Sequence, residues 1–384
     1  MKLRLFLFLA VTSIVLASAG RVHSARRPRY GGTLRLEIGA VVNSLDSGAV
    51  AANAEEAVAK NEIAQLLYAG RNPDGTYAGV AGSGPFRLSE WQAGNRAVLA
   101  ANDDYPGGRP FVDSIEIQMG RPARDRLLDL EAGKIDFAEI PPEGARLASD
   151  RGVRVNASEP DELVALVFVS GRAAGNDLRA RQALSLSIDR AAIVNFILQK
   201  EGEPAGGLLP QWSNGTAFLF PTPADVPGAK EMWAQIGGSP KIVLGYDSAD
   251  PLEQMIAERI VVSARDAGIS IAGEAAPGAS NAIPNCDVRL LRLRMPSPQP
   301  GETLMNFLSV LAPMAALDAA PLPPGVSAEQ IYDRERAAVA GYRVVPLVWL
   351  PEVYGLGARV RDWRAPAPGD AWPFADVWLE QESR

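Results

Sequence analysis

The chain has 384 residues, 47% hydrophobic and 22% charged, with a formal net charge of −7. These values suit a globular protein of two domains and a poor partner for nucleic acid or an anionic membrane surface. His23 and Cys286 are the single histidine and the single cysteine, which excludes a Ser-His-Asp triad, an internal disulfide and a His/Cys zinc site in the folded body and leaves a carboxylate-only metal site or a glycosidase-type carboxylate pair open.

Residues 1–19 read as a secretory signal peptide. Lys2 and Arg4 precede the apolar run Leu5–Leu16, and Ala17-Ser18-Ala19 follows as a small-residue cleavage site. The apolar run is too short to span a bilayer. No cysteine follows it to carry a lipid, so the expectation is a periplasmic protein cleaved near Ala19. Residues 20–30 form a basic tail.

Gly31-Gly32 then releases a strand over Thr33–Ile38, and a helix is expected over Ala49–Tyr68. An Asn-Pro-Asp-Gly turn follows within 71–79. From Gly82 the pattern sharpens. Phe86–Glu90 and Arg96–Ala100 make a hairpin, Asn102–Pro110 is a turn-rich loop, and Ser114–Met119 alternates as a half-buried strand. A helix over Arg124–Ala132 ends at Gly133, and Lys134–Ala138 returns as a strand, completing a βαβ unit.

Val153–Asn156 and Leu163–Val169 are β-branched apolar runs suited to strands. Asp177 and Asp189 are N-cap candidates, and Ala192, Ile193, Phe196 and Ile197 form a stripe expected in the core. Gly202–Pro227 is a long loop carrying Trp212, Phe218 and Phe220, a length often associated with function. Strand Lys241–Tyr246, a helix from Asp250-Pro251 to Gly268 and strand Ile269–Ala272 form a second βαβ unit. Strand Asp287–Leu293 follows, then an unpatterned stretch from Pro296 to Gly325, a helix from Ser327 and a buried strand over Val344–Leu350. Gly82-x-Gly84 lacks the third glycine of a dinucleotide fingerprint, and there is no Walker-type loop. Two βαβ units in different halves of the chain predict an α/β protein of two lobes with a cleft between them.

Several segments resemble the extracellular solute-binding proteins of the peptide and nickel type (family 5), the binding subunits of ABC importers. They are Tyr30-Gly-Gly-Thr-Leu-Arg35 with Asn43-Ser-Leu-Asp46, Gly82-Ser-Gly-Pro-Phe-Arg-Leu88, and Asn102-Asp-Asp-Tyr-Pro-Gly-Gly-Arg-Pro110. Ala132-Gly-Lys-Ile-Asp136, Asp177-Leu-Arg-Ala-Arg-Gln-Ala-Leu184 with Ser187-Ile-Asp-Arg190, and Val345-Pro-Leu-Val-Trp349 with Pro351-Glu-Val-Tyr354 continue the match in the family's order. The resemblance implies a bilobal, type II periplasmic-binding-protein-like fold that closes over a small peptide or other small polar solute. It also implies delivery to a membrane permease without cofactor, metal or bond chemistry, by a monomer.

The expected division is lobe I over 31–170, lobe II over 171–343 and a return to lobe I over 344–384, with hinges near Val169–Ala173 and Arg343–Val345. The expected ligand-lining residues are Asp46 at the rim, Trp212, Tyr246, Asp287, Arg292, Trp349 and Tyr354. Two departures from the family stand out. Ala69–Ala81 replaces a long segment, which makes a non-transporting paralogue, a scaffold or sensor partner, the alternative function. Leu290-Leu-Arg292-Leu-Arg294 stands where the family often has an aromatic-rich strand with an acid, and the two arginines share one strand face. If that face meets the cleft, an anionic ligand group is expected. A carboxylate-based hydrolase is a third reading, for which the sequence nominates no acidic pair.

Overall fold

The computed structural model describes residues 27–46, 51, 54–67, 84–236, 240–276, 286–323 and 325–380. The signal peptide, most of the basic tail and the shortened 69–81 segment lie outside the described residues.

The first sheet gathers β1 (Thr33–Glu37), β2 (Phe86–Gln92), β3 (Arg96–Ala101), β4 (Ser114–Gln118), β5 (Phe137–Ile140), β6 (Arg154–Ala157) and β13 (Val353–Leu356) in the order β2-β3-β4-β1-β5-β13-β6. The central strands β4, β1 and β5 run parallel, and antiparallel strands flank them on both sides. Helix α1 (Ala54–Leu66) sends Ala59, Ile63 and Leu66 into the same core as Leu34 and Leu36 of β1. Phe137, Trp363, Trp372 and Phe374 close that core with edge-to-face ring contacts of 4.7–5.8 Å. Helix α2 (Ala123–Glu131) covers Ala138 and Ile140 on the opposite face. It ends at Gly133, whose φ of 65° favours glycine.

Residues 67 and 84, the ends of the shortened connection, are held directly together. Gly84 N–H donates to the Leu67 carbonyl at 3.1 Å, and Leu67 bridges Phe86 in parallel. A Cβ on Gly84 would lie 2.5 Å from the Leu66 backbone, so only glycine allows this approach.

The second sheet holds β7 (Glu162–Phe168), β8 (Glu203–Pro204), β9 (Ile242–Asp247), β10 (Ile271–Ala276), β11 (Val288–Arg294) and β12 (Val344–Leu350) in the order β10-β9-β11-β7-β12-β8. Both faces are covered, which is why β7 and β12 read as continuous apolar runs. Helices α3 (Leu178–Ser187), α4 (Val226–Ala234) and α5 (Pro251–Asp266) pack on one face. Helices α6 (Pro300–Ala315) and α7 (Ala328–Val339) pack on the other. Asp177, Asp250 and Ser327 cap their helices as expected, Ser327 in a reciprocal capping box with Gln330.

Three expectations need correction. The unpatterned stretch after Pro296 contains the whole of α6. Its Pro300 occupies the first turn, where a missing N–H costs nothing, and Pro313 sits only in the last turn. Phe196 is not core but 80% exposed, because Ile193–Ile197 winds as a π-helical turn and rotates it out of the stripe. The chain passes between the sheets at 158–161 and 351–352, not near Val169–Ala173 and Arg343–Val345. Strand β7 sits between β11 and β12, because its apolar residues on both faces need a sheet covered on both sides.

Several of the recognised motifs are structural fasteners. Buried Asn102 accepts from Arg87 Nε at 3.0 Å and from Asp104 N–H at 3.2 Å. Asp136 accepts from the Arg35 amide at 2.9 Å and, with its two oxygens, from Nε and Nη2 along one edge of the Arg359 guanidinium. Arg181 donates to the Gly341 and Gly175 carbonyls, and Arg190, 1% exposed, to the carbonyls of Pro346 and Ser185.

Candidate functional site at the seam between the sheets

Both sheets present the carboxyl ends of their parallel strands toward the two passages. In the second sheet Arg294 closes β11 opposite Glu162, the first residue of β7, and Leu350 at the end of β12 pairs with that same glutamate. In the first sheet Ile140 at the end of β5 pairs with Val353, which also faces Ala157 of β6. Ligands of open α/β sheets bind outside such carboxyl ends, so this is where a site is expected.

The two passages lie side by side. Ser158 N–H donates to the Glu352 carbonyl, Glu352 N–H to Ser158 Oγ, and Asp161 N–H to the Leu350 carbonyl, each at 2.9 Å. Met295 N–H donates to the Asp161 carbonyl at 2.8 Å, tying β11 to the same ribbon.

An ionic cluster fills the seam. Arg292 on β11 bonds Glu162 at 2.5 Å and Asp250 at 2.6 Å, while the other oxygen of Asp250 caps α5. Arg294 pairs with Glu352 in the second passage and lies 3.8 Å from Glu162. Tyr354 donates its hydroxyl to Glu352. From the first sheet's layer, Glu62 of α1 and Glu139 of β5 add two more carboxyl groups, Glu139 acting on Glu62 and both on Tyr354. Carboxyls thus outnumber guanidiniums: Glu62, Glu139, Asp161, Glu162, Asp250 and Glu352 against Arg292 and Arg294.

Ionisation follows from that imbalance. Burial opposes the charge on Arg292, but Glu162 and Asp250 outweigh it and hold its pKa above the ordinary value. Burial would raise Glu162 as well, and Arg292 and Arg294 reverse this, so it stays an anion. Glu62 has no such match. Burial, reinforced by the Glu139 carboxylate, pushes it well above the usual carboxyl range. Asp161 is pushed up to about 7, mainly by burial, with Arg294 opposing and Glu162 adding. Tyr354 is raised by burial and by the neighbouring glutamates.

The profile of the bacterial extracellular solute-binding proteins, family 5 (middle region), matches residues 49–312 of this sequence. The chain belongs to that family. Among curated relatives, the probable D,D-dipeptide-binding periplasmic protein DdpA of Escherichia coli is 31% identical over 198 residues, which is 50% of this chain and 38% of that protein. The oligopeptide-binding protein AppA of Bacillus subtilis is 30% identical over 164 residues, 41% of this chain and 30% of that protein. The chain therefore aligns with well under half the length of these relatives.

Among solved structures, the periplasmic binding protein DppA of Helicobacter pylori in complex with the peptide STSA superposes with a TM-score of 0.69 at 16% identity, covering 92% of this chain and 99% of that one. NikA of Brucella suis in complex with Fe(III)-EDTA superposes with 0.67 at 19% identity, covering 82% and 71%. At such identities these two establish the type II binding-protein fold of the family.

Within this family 5 chain, two of the residues singled out from the sequence, Arg292 and Tyr354, meet in the seam cluster. Trp212, 37% exposed, reaches it indirectly, donating its indole N–H to the carbonyl of Pro160 in the first passage at 2.8 Å. Tyr246 sits on β9, half-buried at the edge of the helical core and against Gly273. Asp46 is exposed, its main-chain carbonyl taken by Lys60. Trp349 is 1% exposed and stacks on Phe307, a core position. Asp287 lies at the amino end of β11, the end away from Arg294, where it accepts from the Val243 amide at 2.9 Å.

Sequence reasoning missed Glu62, Glu139, Asp161, Glu162 and Glu352. A signal for Glu62 exists: Ala59, Glu62, Ile63 and Leu66 share one buried helical stripe, and an acid there is out of place. The arginine face does meet the seam, but Glu162, Asp250 and Glu352 already neutralise it. The ground for expecting an anionic ligand group is removed.

Proposed function

We propose that the chain is the periplasmic solute-binding component of an ABC importer, capturing an oligopeptide or similar small polar solute between two lobes and presenting it to a membrane permease. One lobe is built on the first sheet, from residue 31 to 157 and again from 353 onward; the other runs from 162 to 350. Capture is closure about the paired passages at 158–161 and 351–352, with no bond chemistry. The observation that carries this reading is the seam itself, where charged groups from both sheets and both passages meet at the carboxyl ends of the parallel strands. Family membership supports it, and the peptide and metal-chelate binding of the similar proteins marks the range of solutes to try.

The test is thermal unfolding with a panel of di- to pentapeptides, metal chelates and sugars, beside mass spectrometry of small molecules carried through gentle purification. A solute at a hundred times its dissociation constant stabilises the native state by about 2.7 kcal/mol. For a protein of this size that raises the melting temperature by roughly 3–4 °C. A panel that moves nothing, with no co-purified solute, would sink the transport reading.

A second reading, a non-transporting scaffold or sensor partner, is favoured by one feature. The short connection after Tyr68 replaces a long family segment, and its ends at Leu67 and Gly84 are pinned together. It predicts no solute response with full retention of fold.

A further inference from the structure

The long loop between β8 and α4 is fixed to the second lobe and yet touches the hinge. Ala205 N–H donates to the Leu347 carbonyl of β12 at 2.9 Å, and the amides of Leu219 and Phe220 fold back on the Gly206 carbonyl at 2.8 and 3.0 Å. Glu335 of α7, 1% exposed, accepts from the amides of Leu208 and Leu209. Phe220 packs edge-to-face on Tyr342 with ring centroids 4.8 Å apart. From this base the single helical turn Gln211–Asn214 carries Trp212 to the first passage, where its indole N–H donates to the Pro160 carbonyl at 2.8 Å. Trp212 is 37% exposed, so packing alone does not hold it there.

The passages leave few torsions to bend. Ser158 and Glu352 are joined through the Glu352 carbonyl and Ser158 Oγ, both at 2.9 Å, so the two passages are tied side by side. Asp161 belongs to the second lobe: its N–H donates to the Leu350 carbonyl at 2.9 Å and its carbonyl accepts from Met295 at 2.8 Å. Between these fixed points lie only Glu159 and Pro160. The proline ring locks its own φ and keeps Glu159 extended. Pro351 in the second passage is locked at φ in the same way, between Leu350 and Glu352. The remaining rotation at Pro160 is its ψ, and Trp212 holds the carbonyl that this rotation swings.

We infer that Trp212 is a positioning residue of the hinge, fastening the first passage to the second lobe so that closure is confined to a bend at Glu159 and Pro351. The inference rests on the solute-binding reading above and adds to it how the lobes are guided. Trp212, expected from the sequence to line the ligand, acts on it through the hinge instead. Without the bond the passage turns at Pro160 as well. The lobes then sample more mutual orientations before solute arrives, and ordering them on closure costs more.

The experiment compares the full chain with Trp212→Phe, which keeps an aromatic ring and removes the N–H, and with Gln211→Ala on the same turn as a control. Hydrogen exchange of the solute-free proteins is read at the amides of Ser158, Asp161 and Glu352. Spin labels at Ser149→Cys in the first lobe and Val262→Cys in the second, both exposed positions, give the distribution of lobe-to-lobe distances. One net hydrogen bond is worth about fivefold in a local equilibrium. Trp212→Phe should therefore speed exchange at the three amides about fivefold and broaden the distance distribution, with a melting temperature within about 1–2 °C of the parent. Gln211→Ala should change neither. Parental exchange with an unchanged distribution would overturn the inference. So would exchange that rises alike throughout the second sheet, since Trp212 would then support the lobe and not the hinge. Tri-alanine, titrated by calorimetry, should bind Trp212→Phe about fivefold more weakly than the parent, and equal affinity would overturn the link from hinge to capture. Failure of tri-alanine to bind either chain counts against peptide capture, while the two solute-free measurements still decide the role of Trp212.

Discussion

Replacing Asp161 by asparagine separates the effect of burial from that of charge at the seam. The carboxyl is raised from 3.8 to about 7, chiefly because it is buried. Between those values the folded chain holds a proton that the unfolded chain has given up. Stability therefore falls as pH rises through the interval, and the full deficit is present above about pH 7. At about 1.4 kcal/mol per unit the deficit is roughly 4 kcal/mol at pH 8 and less than half of that at pH 5. Asparagine keeps the shape of the side chain and never ionises. The variant should be more stable than the parent, with an advantage that grows by about 2–3 kcal/mol from pH 5 to pH 8. Urea unfolding followed by tryptophan fluorescence at pH 5, 6.5 and 8 measures this directly. A variant less stable than the parent at pH 8, or a difference independent of pH, would refute the view that Asp161 is a carboxyl forced into a site built for a neutral or cation-matched group.

Three further outcomes are expected. Arg292→Ala leaves Glu162 and Asp250 facing a seam without their counter-charge, and should cost about 3 kcal/mol at neutral pH. Glu162 is held below its ordinary 4.5 by Arg292 and Arg294, so its contribution is present above that pH and lost in acid; the cost of Arg292→Ala should shrink below about pH 4, as urea midpoints will report. Phe196→Ser should change stability by no more than about 0.5 kcal/mol because the ring is solvent-exposed, and a loss above 2 would mean that the π-helical turn packs against something. Asn102→Ala should cost about 1–2 kcal/mol, since it strands Arg87 Nε and the Asp104 amide, and the loss should appear equally at low and high pH.

The residues that made the family legible and the residues that form the seam are largely different sets. Asn102, Asp136, Arg181 and Arg190 are fixed in spacing because each bonds a particular main-chain or side-chain partner, and a local motif carries that kind of constraint well. Helix caps at Asp177, Asp250 and Ser327 were readable for the same reason: donor and acceptor lie two or three residues apart. Charge patterning brought Arg292 into view, because two arginines two apart on a strand must share a face. It could not show what that face meets.

Local spacing and periodicity in the sequence determined most of the strands and capped helices, the two βαβ units and the α/β class, but not α4 or α6. Only the tertiary structure decided that β7 belongs to the second sheet, since a run apolar on both faces fits any covered sheet and names none. It also decided that Glu62, Asp161, Glu352 and Arg294, drawn from a helix, two passages and a strand spread over the chain, share one interior. Electrostatic energy depends on distance through the folded molecule and on exclusion of water, and neither has a local trace in the order of residues.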